Sequence, residues 1–450
     1  MIGMKPAIVA GGGIAGIVSA LLLARQGWQV TLIEREPECG GLLRSFRGEC
    51  GTEFDYGPHI LTDTGVPELD ELLHGDLDPA HWERLPFLRS GHVFAGRLYG
   101  DSPFPRLANL PREDYERAVI EMLHRGAPDL DRCANCGEYL EAMFGPTIAR
   151  RVFGPALEKF LGIGIDQLAP DAWRYFGLAR VLAFDADLTR EFKKSPLLDR
   201  KIGFHRSEGG TGSSAHYYPK RGGIGQWIEL LLGKLRALGV ELRTAASIRA
   251  IERQGGKAVA VTLEDGQRLP CDLLVWSINP ALALKALGMD RKLGAIPMRR
   301  SRLFYYVFDR PFATDTFYAQ CLDPGFRTFR VTLFSNFRSE ERDIAACCVE
   351  TMGAAEQTEA PSLAEIEGEL KTMGFIDTSA RVRSQTTATI REGFPVPTSG
   401  FYELAAELTG EVTAAAENIA VVGKAAGKSF FTNDTLIAAH RLLGGMRADP

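Results

Sequence analysis

The chain has 450 residues, of which 45% are hydrophobic and 24% are charged, a composition typical of a folded protein with two or three domains. The formal net charge of −5 and the lack of a long basic run exclude a general nucleic-acid binder. No apolar run reaches about 18 residues, so we predict no transmembrane helix and a cytoplasmic location. The sequence leaves a homo-oligomer open.

The eight cysteines do not alter this assignment, and we predict no metal site. Cys133 and Cys136 form one CxxC, but no second pair lies at zinc-ligand spacing. Two ligands alone make a poor metal site, so reduced thiols are favoured over a redox or metal role. Cys347 and Cys348 lie in the apolar run IAACCVE, which predicts a buried strand.

The first 34 residues predict a strand, a glycine turn, a helix and a second strand. The run AIVAG reads as a buried strand, and Gly11, Gly13 and Gly16 form G-x-G-x-x-G before the helix. This arrangement binds a dinucleotide, because glycine lets the backbone approach a pyrophosphate at a helix N-terminus. Glu34 ends the second strand, where a carboxylate accepts from a ribose hydroxyl. The residues predicted to contact the cofactor are Gly11, Gly13, Ile14, Ala15, Gly16, Glu34 and Arg35.

The residues after Glu34 separate FAD from NAD. REPECGGLLRSF and EFDYGPHI resemble a flavoprotein clan that includes amine oxidases, protoporphyrinogen oxidase, phytoene-type desaturases and UDP-galactopyranose mutase. In that clan a glycine pair is followed by a basic residue and serine, which match Gly40, Gly41, Arg44 and Ser45. The resemblance implies that the glycine pair follows the FAD diphosphate and ribityl chain, and that GPHI runs beside the isoalloxazine ring. It implies FAD contacts at Gly41, Leu42, Arg44, Pro58, His59 and Ile60.

The middle of the chain alternates between helical and strand patterns. Residues 68–213 carry helical spacing, as in EDYERAVIEML, and predict a mostly helical insertion. Within it, Lys159 and Gly162 loosely match a lysine and glycine of the clan. Residues 206–219 are rich in Gly and Ser and predict a mobile loop. The following YPKRGG turn resembles the clan, which implies that Ile248 meets the adenine.

The last third of the chain is predicted to contain part of the substrate region, followed by a final segment of the FAD-binding domain. Alternation in 300–352 predicts an antiparallel sheet with one face toward a pocket. Asn433 and Asp434 are expected to cap a final helix, TLIAAHRLLG, whose N-terminus points at the flavin pyrimidine side in the clan. The predicted FAD contacts in this segment are Gly423, Asn433, Asp434 and Thr435.

Together these patterns predict an α/β fold with a Rossmann-like FAD-binding domain of the two-dinucleotide-binding type and a substrate domain. The FAD-binding domain is discontinuous in sequence. The substrate region consists of the helical insertion and an antiparallel sheet. The FAD-binding domain is predicted to comprise residues 1–67, 214–290 and 400–450. The helical insertion is predicted at 68–213 and the antiparallel sheet of the substrate domain at 291–399.

Two functions follow from the resemblance. The first is an FAD-dependent oxidoreductase that takes a hydride from a small-molecule substrate at flavin N5. The second is a non-redox sugar-nucleotide mutase, favoured by GPHI and by Arg330 in FRTFRVTLFSNF. Against it, Lys424 replaces an arginine, and Phe430 and Phe431 lack the tyrosine hydroxyls that a diphosphate would bind.

The predicted catalytic residues are His59, Arg330 and Lys424. Each has an alternative. His59 is also consistent with a structural role that holds its turn. Arg330 is also consistent with a side chain that points outward from a strand, and Lys424 with a solvated lysine in a loop.

Overall fold

The computed structural model describes residues 5–205, 214–289, 291, 297–354, 360–427, 429 and 431–448. In chain order its strands are β1 (Pro6–Ala10), β2 (Gln29–Ile33), β3 (Ser45–Arg47), β4 (Glu53–Asp55), β5 (Leu61–Thr62), β6 (Trp82–Leu85), β7 (Ser90–Phe94), β8 (Arg97–Tyr99), β9 (His216–Pro219), β10 (Glu241–Arg243), β11 (Ile248–Gln254), β12 (Lys257–Leu263), β13 (Arg268–Pro270), β14 (Leu273–Trp276), β15 (Met298–Phe308), β16 (Tyr318–Cys321), β17 (Thr328–Leu333), β18 (Ala345–Ala354), β19 (Val382–Pro395) and β20 (Ile419–Val421).

The helices are α1 (Ile14–Arg25), α2 (Pro67–His74), α3 (Arg112–His124), α4 (Cys136–Phe144), α5 (Pro146–Ile148), α6 (Gly154–Leu161), α7 (Ala186–Phe192), α8 (Pro196–Asp199), α9 (Gly225–Ala237), α10 (Pro280–Ala286), α11 (Leu363–Met373), α12 (Ser399–Ala415) and α13 (Thr432–Leu443). A π-helical turn, Ala149–Phe153, joins α5 to α6. Short 3-10 turns include Gly41–Leu43 and Lys424–Ala426. Among the helices of the described ranges, none has the length and apolar character needed to cross a bilayer.

A five-stranded parallel sheet forms the centre of the cofactor half, in the order β10-β2-β1-β14-β20. Residues 7–10 of β1 are at most 2% exposed, and their side chains alternate between the two faces. Ala7 and Val9 belong to a hydrophobic core that includes α1, α9 and α13. Ile8 and Ala10 belong to another that includes α10 and α12. Both faces are therefore covered, as a parallel sheet requires.

The substrate half is organised by a seven-stranded sheet in the order β19-β15-β18-β17-β16-β7-β8. Its strand pairs are antiparallel except β16 with β7, which is parallel. Leu303 and Tyr305 lie on the face that joins the cofactor half, whereas Phe304 and Tyr306 pack with α11 on the other face. Glu350 pairs directly with Leu303 in the ladder. It therefore points toward the cofactor half.

The α/β fold predicted from the sequence is confirmed. Residues 68–205 contain helices α3 to α8, but the sequence did not predict the short strands β6, β7 and β8 among them. β7 and β8 extend the seven-stranded sheet, and β6 pairs with β9. These short strands acquire their structure from distant partners, which local periodicity does not reveal. The domain bounds stay predictions, and the central part of the Gly/Ser-rich loop, 206–213, lies outside the described residues.

The cysteines of the two motifs are free thiols. Cys347 and Cys348 are fully buried in β18, as the apolar run predicts. Cys136 is also buried, and burial raises its pKa to about 12. A thiol with such a pKa is unreactive at neutral pH.

Candidate cofactor and active site

The glycine turn after β1 has the geometry that a dinucleotide site needs. A Cβ on Gly16 would lie far inside van der Waals contact with the carbonyl oxygen of Gly11. A Cβ on Gly13 would meet nothing within 4 Å. Gly16 thus lets helix and strand pack closely, whereas Gly13 borders open space at the N-terminus of α1, which has no side-chain cap. Ile14 and Ala15 follow in the first turn, where backbone N–H groups favour an anion.

Glu34 folds back onto this turn. Its Oε2 accepts from the N–H of Gly12 at 2.6 Å, and its Oε1 accepts from the N–H of Glu36 at 2.8 Å. A Cβ on Gly12 would lie 2.7 Å from the Cys39 sulfur, so this position also requires glycine. Gly12 was not among the predicted site residues, although it lies in the GGG run. Arg35 is exposed beside Glu34.

The glycine pair after β2 closes the crevice from the opposite side. Gly40 and Gly41 have φ values of 116° and 57°, in the region that favours glycine. A Cβ on Gly41 would lie 3.5 Å from the Cα of Gly13, so two bare backbones face each other. Arg44 Nε donates to the carbonyl of Gly41 at 3.0 Å, and Leu42 is 46% exposed. The N–H of Gly40 also donates to the carbonyl of Gly12 at 2.7 Å, so the two turns are in direct contact and form a surface of bare backbone that fits a phosphate chain lying along it.

A groove continues from this crevice across the carboxyl ends of the parallel strands. It measures about 1300 Å³ and is bordered by Glu34, Arg35 and Ile248. Ile278 and Leu282 also border it, and they are 38% and 47% exposed. Apolar side chains open to a groove suit the faces of a planar ring, so these residues fit an adenine.

On the other side of the crevice lies a pocket that we name the α13 pocket. It measures about 950 Å³ and includes predicted flavin contacts from two distant segments. Its lining residues are Leu43, Pro58, His59, Ile60, Leu61, Thr62, His74, Trp227, Phe431, Thr432, Asn433, Asp434 and Leu436.

The final helix begins earlier than the sequence predicts. α13 starts at Thr432, so Asn433 and Asp434 lie in its first turn instead of preceding it. Asp434 Oδ2 accepts from the N–H of Phe431, and Asn433 Nδ2 donates to the carbonyls of Thr62 and Asp63. Asp434 thus caps the helix as expected, but from the third helical position, whereas Asn433 bonds to the chain at the end of β5 instead of capping.

Two other predicted contacts of the last segment differ in position. Thr435 is 3% exposed and is not among the residues that line the α13 pocket, so this prediction receives no support from the geometry. Gly423 has φ 93°, and a Cβ there would lie 3.0 Å from the carbonyl of Ser277 and 3.7 Å from Ala15. Gly423 therefore brings the C-terminal turn against the N-terminus of α1. Phe430 lies outside the described residues.

The structure brings His59, Arg330 and Lys424 together, although they come from three distant segments. Burial lowers the pKa of His59 to about 3, and the positive charges of Arg330 and Lys424 add to this effect. His59 is therefore neutral at physiological pH. Burial of its ammonium and the neighbouring Arg330 also lower the pKa of Lys424, although the residue as a whole is exposed.

Arg330 is held by a residue that the sequence analysis missed. Its Nε and Nη2 donate to the two carboxylate oxygens of Glu350 at 2.7 and 2.9 Å, and the Glu350 side chain is 2% exposed. Both side chains pack on Gly57, whose Cβ would lie 3.4 Å from Arg330 Nη2. The guanidinium fork is thus paired inside the protein on two of its nitrogens. Alternation in β18 was the only sequence signal for Glu350.

Comparison with known proteins agrees with this geometry. Residues 14–322 match the family model described as flavin containing amine oxidoreductase. The chain belongs to this family. Its cofactor is FAD, as the sequence predicts, and the resemblance to the flavoprotein clan is confirmed.

Two curated relatives illustrate the range of the family. Coproporphyrinogen III oxidase of Propionibacterium freudenreichii subsp. freudenreichii is 27% identical over 340 residues, which cover 65% of this chain and 61% of that protein. The 1-hydroxycarotenoid 3,4-desaturase of Flavobacterium sp. (strain P99-3) is 41% identical over 335 residues, covering 69% and 64%. The chain spans about three-fifths of the length of the curated relatives it matches.

A solved structure extends the likeness to the whole fold. Reduced UDP-galactopyranose mutase superposes with a TM-score of 0.75 and 18% identity, covering 98% of this chain and 96% of that one. At this identity the likeness concerns the fold alone.

Proposed function

We propose that the protein is an FAD-dependent oxidoreductase that oxidises a C–H bond of a small organic substrate. The observation that carries this proposal is the α13 pocket, which His59 lines together with the first turn of α13. Arg330, which pairs with Glu350, acts electrostatically on His59. Leu43, which follows the glycine pair Gly40 and Gly41, also lines the pocket. Bound FAD supplies a hydride acceptor.

The residues of the chain supply position and electrostatics. The N-terminus of α13 borders the α13 pocket, and its helix dipole stabilises negative charge that develops there. The Arg330–Glu350 pair is rigid and nearly neutral as a unit, so it shapes the wall beside Gly57 without adding net charge. His59 is neutral at physiological pH, so it adds no charge to the pocket.

Anaerobic reduction tests this proposal. The purified protein is mixed without oxygen with candidate amines, porphyrinogens and carotenoid-type polyenes, and the visible flavin band is followed. Bleaching by one class, with recovery of the band on admission of oxygen or another acceptor, is the expected result. A flavin that no C–H donor bleaches, together with interconversion of a sugar nucleotide by the chemically reduced protein, would reject the oxidoreductase.

The second candidate is the sugar-nucleotide mutase, and the presence of Arg330 beside His59 favours it. Pairing with Glu350 weakens it, because a guanidinium bound on two nitrogens offers less to a diphosphate. Titration with UDP and a UDP-sugar, followed by flavin fluorescence, separates the two. For a mutase, Arg330→Ala should raise the apparent Kd about tenfold or more. For the oxidoreductase, we expect no nucleotide binding at millimolar concentration.

A further inference from the structure

A second histidine, which the sequence analysis did not single out, lines the α13 pocket. His74 is the last residue of α2 and is 8% exposed. It shares the pocket with His59 and with the first turn of α13. Its position makes it a candidate contact for whatever occupies this pocket.

Asp63 and two aromatic rings fix the orientation of His74. Its Nδ1 lies 3.2 Å from Oδ1 of Asp63, and the other carboxylate oxygen of Asp63 accepts from the N–H of Ala215 at 3.1 Å. The rings of Tyr217 and Trp227 lie 5.3 and 6.0 Å from the imidazole. Since a carboxylate accepts, Nδ1 carries the proton and Nε2 carries a lone pair.

His74 is neutral in this setting. Burial and Lys234 lower its pKa, and these effects exceed the opposing influence of Asp63 and Asp70. No hydrogen bond within the described part of the chain engages Nε2 of His74. Nε2 is thus a hydrogen-bond acceptor whose capacity the protein itself does not use.

A metal ion is not needed to explain this group. Asp63, Asp70 and His74 have ligand atoms within 4.8 Å of one another. Asp70, however, accepts from the N–H and hydroxyl of Thr64 and from the N–H of Gly65, so it serves the turn before α2. The remaining pair, Asp63 and His74, has the form of a carboxylate that orients an imidazole.

The pyrimidine edge of oxidised flavin presents two carbonyl oxygens and, between them, the ring's N3–H donor. The first-turn N–H groups of α13 complement the carbonyls. The N3–H requires an acceptor, and a buried donor without one costs free energy. His59 is a poor candidate for this acceptor, because its Nε2 is enclosed by protein atoms.

We propose that His74, oriented by Asp63, accepts a hydrogen bond from flavin N3–H through Nε2. This inference rests on the proposed FAD site. It gives Asp63 a positioning role, because the carboxylate selects the tautomer that leaves Nε2 unprotonated.

The test compares the affinities of two cofactors for the deflavinated protein. FAD and N3-methyl-FAD are titrated while flavin fluorescence is followed, and the ratio of their Kd values measures the N3–H contact. Wild type should prefer FAD about tenfold or more. His74→Ala should raise the Kd for FAD about threefold to tenfold, the range of one neutral hydrogen bond, and should bring the ratio close to one.

The Asp63→Asn variant distinguishes loss of the N3–H hydrogen bond from a change in the space around N3 and from a defect in folding. The amide keeps the shape and can donate to Nδ1, so Nε2 acquires the proton and opposes N3–H as a second donor. The ratio should therefore fall as in His74→Ala, with no change in room for the methyl group. His124→Ala, at an exposed position in the last turn of α3, is the control and should change neither Kd.

Three results would overturn the inference. A ratio that stays at the wild-type value in both variants excludes a contact with N3. A ratio that is lost only in His59→Ala assigns the contact to His59. Wild-type protein that binds neither flavin refutes the FAD site together with this inference, whereas the first two results leave the proposed function intact.

Discussion

The glycine crevice and the Arg330–Glu350 cluster border the same site, but they are built in different ways. The crevice consists of backbone, and each of its turns is determined by residues close in sequence, such as Gly11, Gly13 and Gly16. The cluster consists of charged side chains from β17 and β18, and it adjoins the neutral His59 from the segment after β4. Local sequence is therefore sufficient to recognise a cofactor site, whereas the chemistry beside it depends on pairings between distant strands.

The glycine turns contain glycines that are needed for packing, such as Gly16, and glycines that border open space, such as Gly13. The largest predicted effect is the loss of stability on substitution of the packing glycine. Gly16→Ala should destabilise the protein by more than about 3 kcal/mol, because its Cβ overlaps the backbone oxygen of Gly11. Urea unfolding measures this loss. Gly233→Ala in α9, where a Cβ meets nothing within 4 Å, is the matched control and should stabilise by about 0.5–1 kcal/mol. A Gly16→Ala protein as stable as wild type would contradict the packing role.

Gly13→Val should abolish FAD binding without affecting the fold. Gly13 has φ −72° and ψ 175°, which valine adopts, and its Cβ would enter open space. The valine side chain then occupies the path of the pyrophosphate. Fluorescence titration of FAD and urea unfolding of the FAD-free proteins test both halves. FAD binding with unchanged affinity would show that the pyrophosphate passes elsewhere.

The charged cluster is expected to respond differently, because its partners depend on each other. Glu350→Gln should cost about 3 kcal/mol of folding free energy, since it leaves the Arg330 charge without its carboxylate. The double variant Arg330→Met, Glu350→Leu should recover most of that loss. Urea unfolding of the three proteins makes the comparison. Equal stability of all three would mean that the pair is solvated and does not hold the wall of the site.

Glu34→Ala should weaken FAD binding by about 1–3 kcal/mol. Glu34 also accepts from the N–H groups of Gly12 and Glu36, so part of the loss comes from the turn. The variant's unfolding free energy without FAD measures that part, and the FAD titration measures the whole. An unchanged affinity would place the ribose contact on another residue.

The depressed pKa of His59 predicts a pH dependence of stability. Its folded pKa of about 3 lies below the usual 6.5, so the neutral ring stabilises the fold above pH 6.5 and this contribution is lost as the pH falls toward 3. Between pH 7 and pH 5 the loss from His59 is about 2 kcal/mol. Urea unfolding of wild type and His59→Asn at the two pH values should reveal this difference in slope. Equal slopes would indicate a solvated His59.

The outcome of the sequence analysis follows the same division between local and distant determinants. The order strand, glycines, helix, strand and acid occupies residues 7–34, and each element is visible in its own residues. Glu350 and the strands β7 and β8 were missed because their roles exist only once β16, β17 and β18 pair. Asp434 was recognised as a cap, but the helix begins two residues before it at Thr432, which residue preferences do not determine.

The identity of the bound cofactor is the decisive test of the FAD site. The purified protein is denatured, and the released flavin is separated by chromatography and quantified against protein. One FAD per chain is the expected result, because the groove beside Glu34 and Ile248 fits an adenosine and the crevice between Gly13 and Gly41 fits a diphosphate. Release of FMN, or a protein that stays colourless after incubation with FAD, would contradict the account.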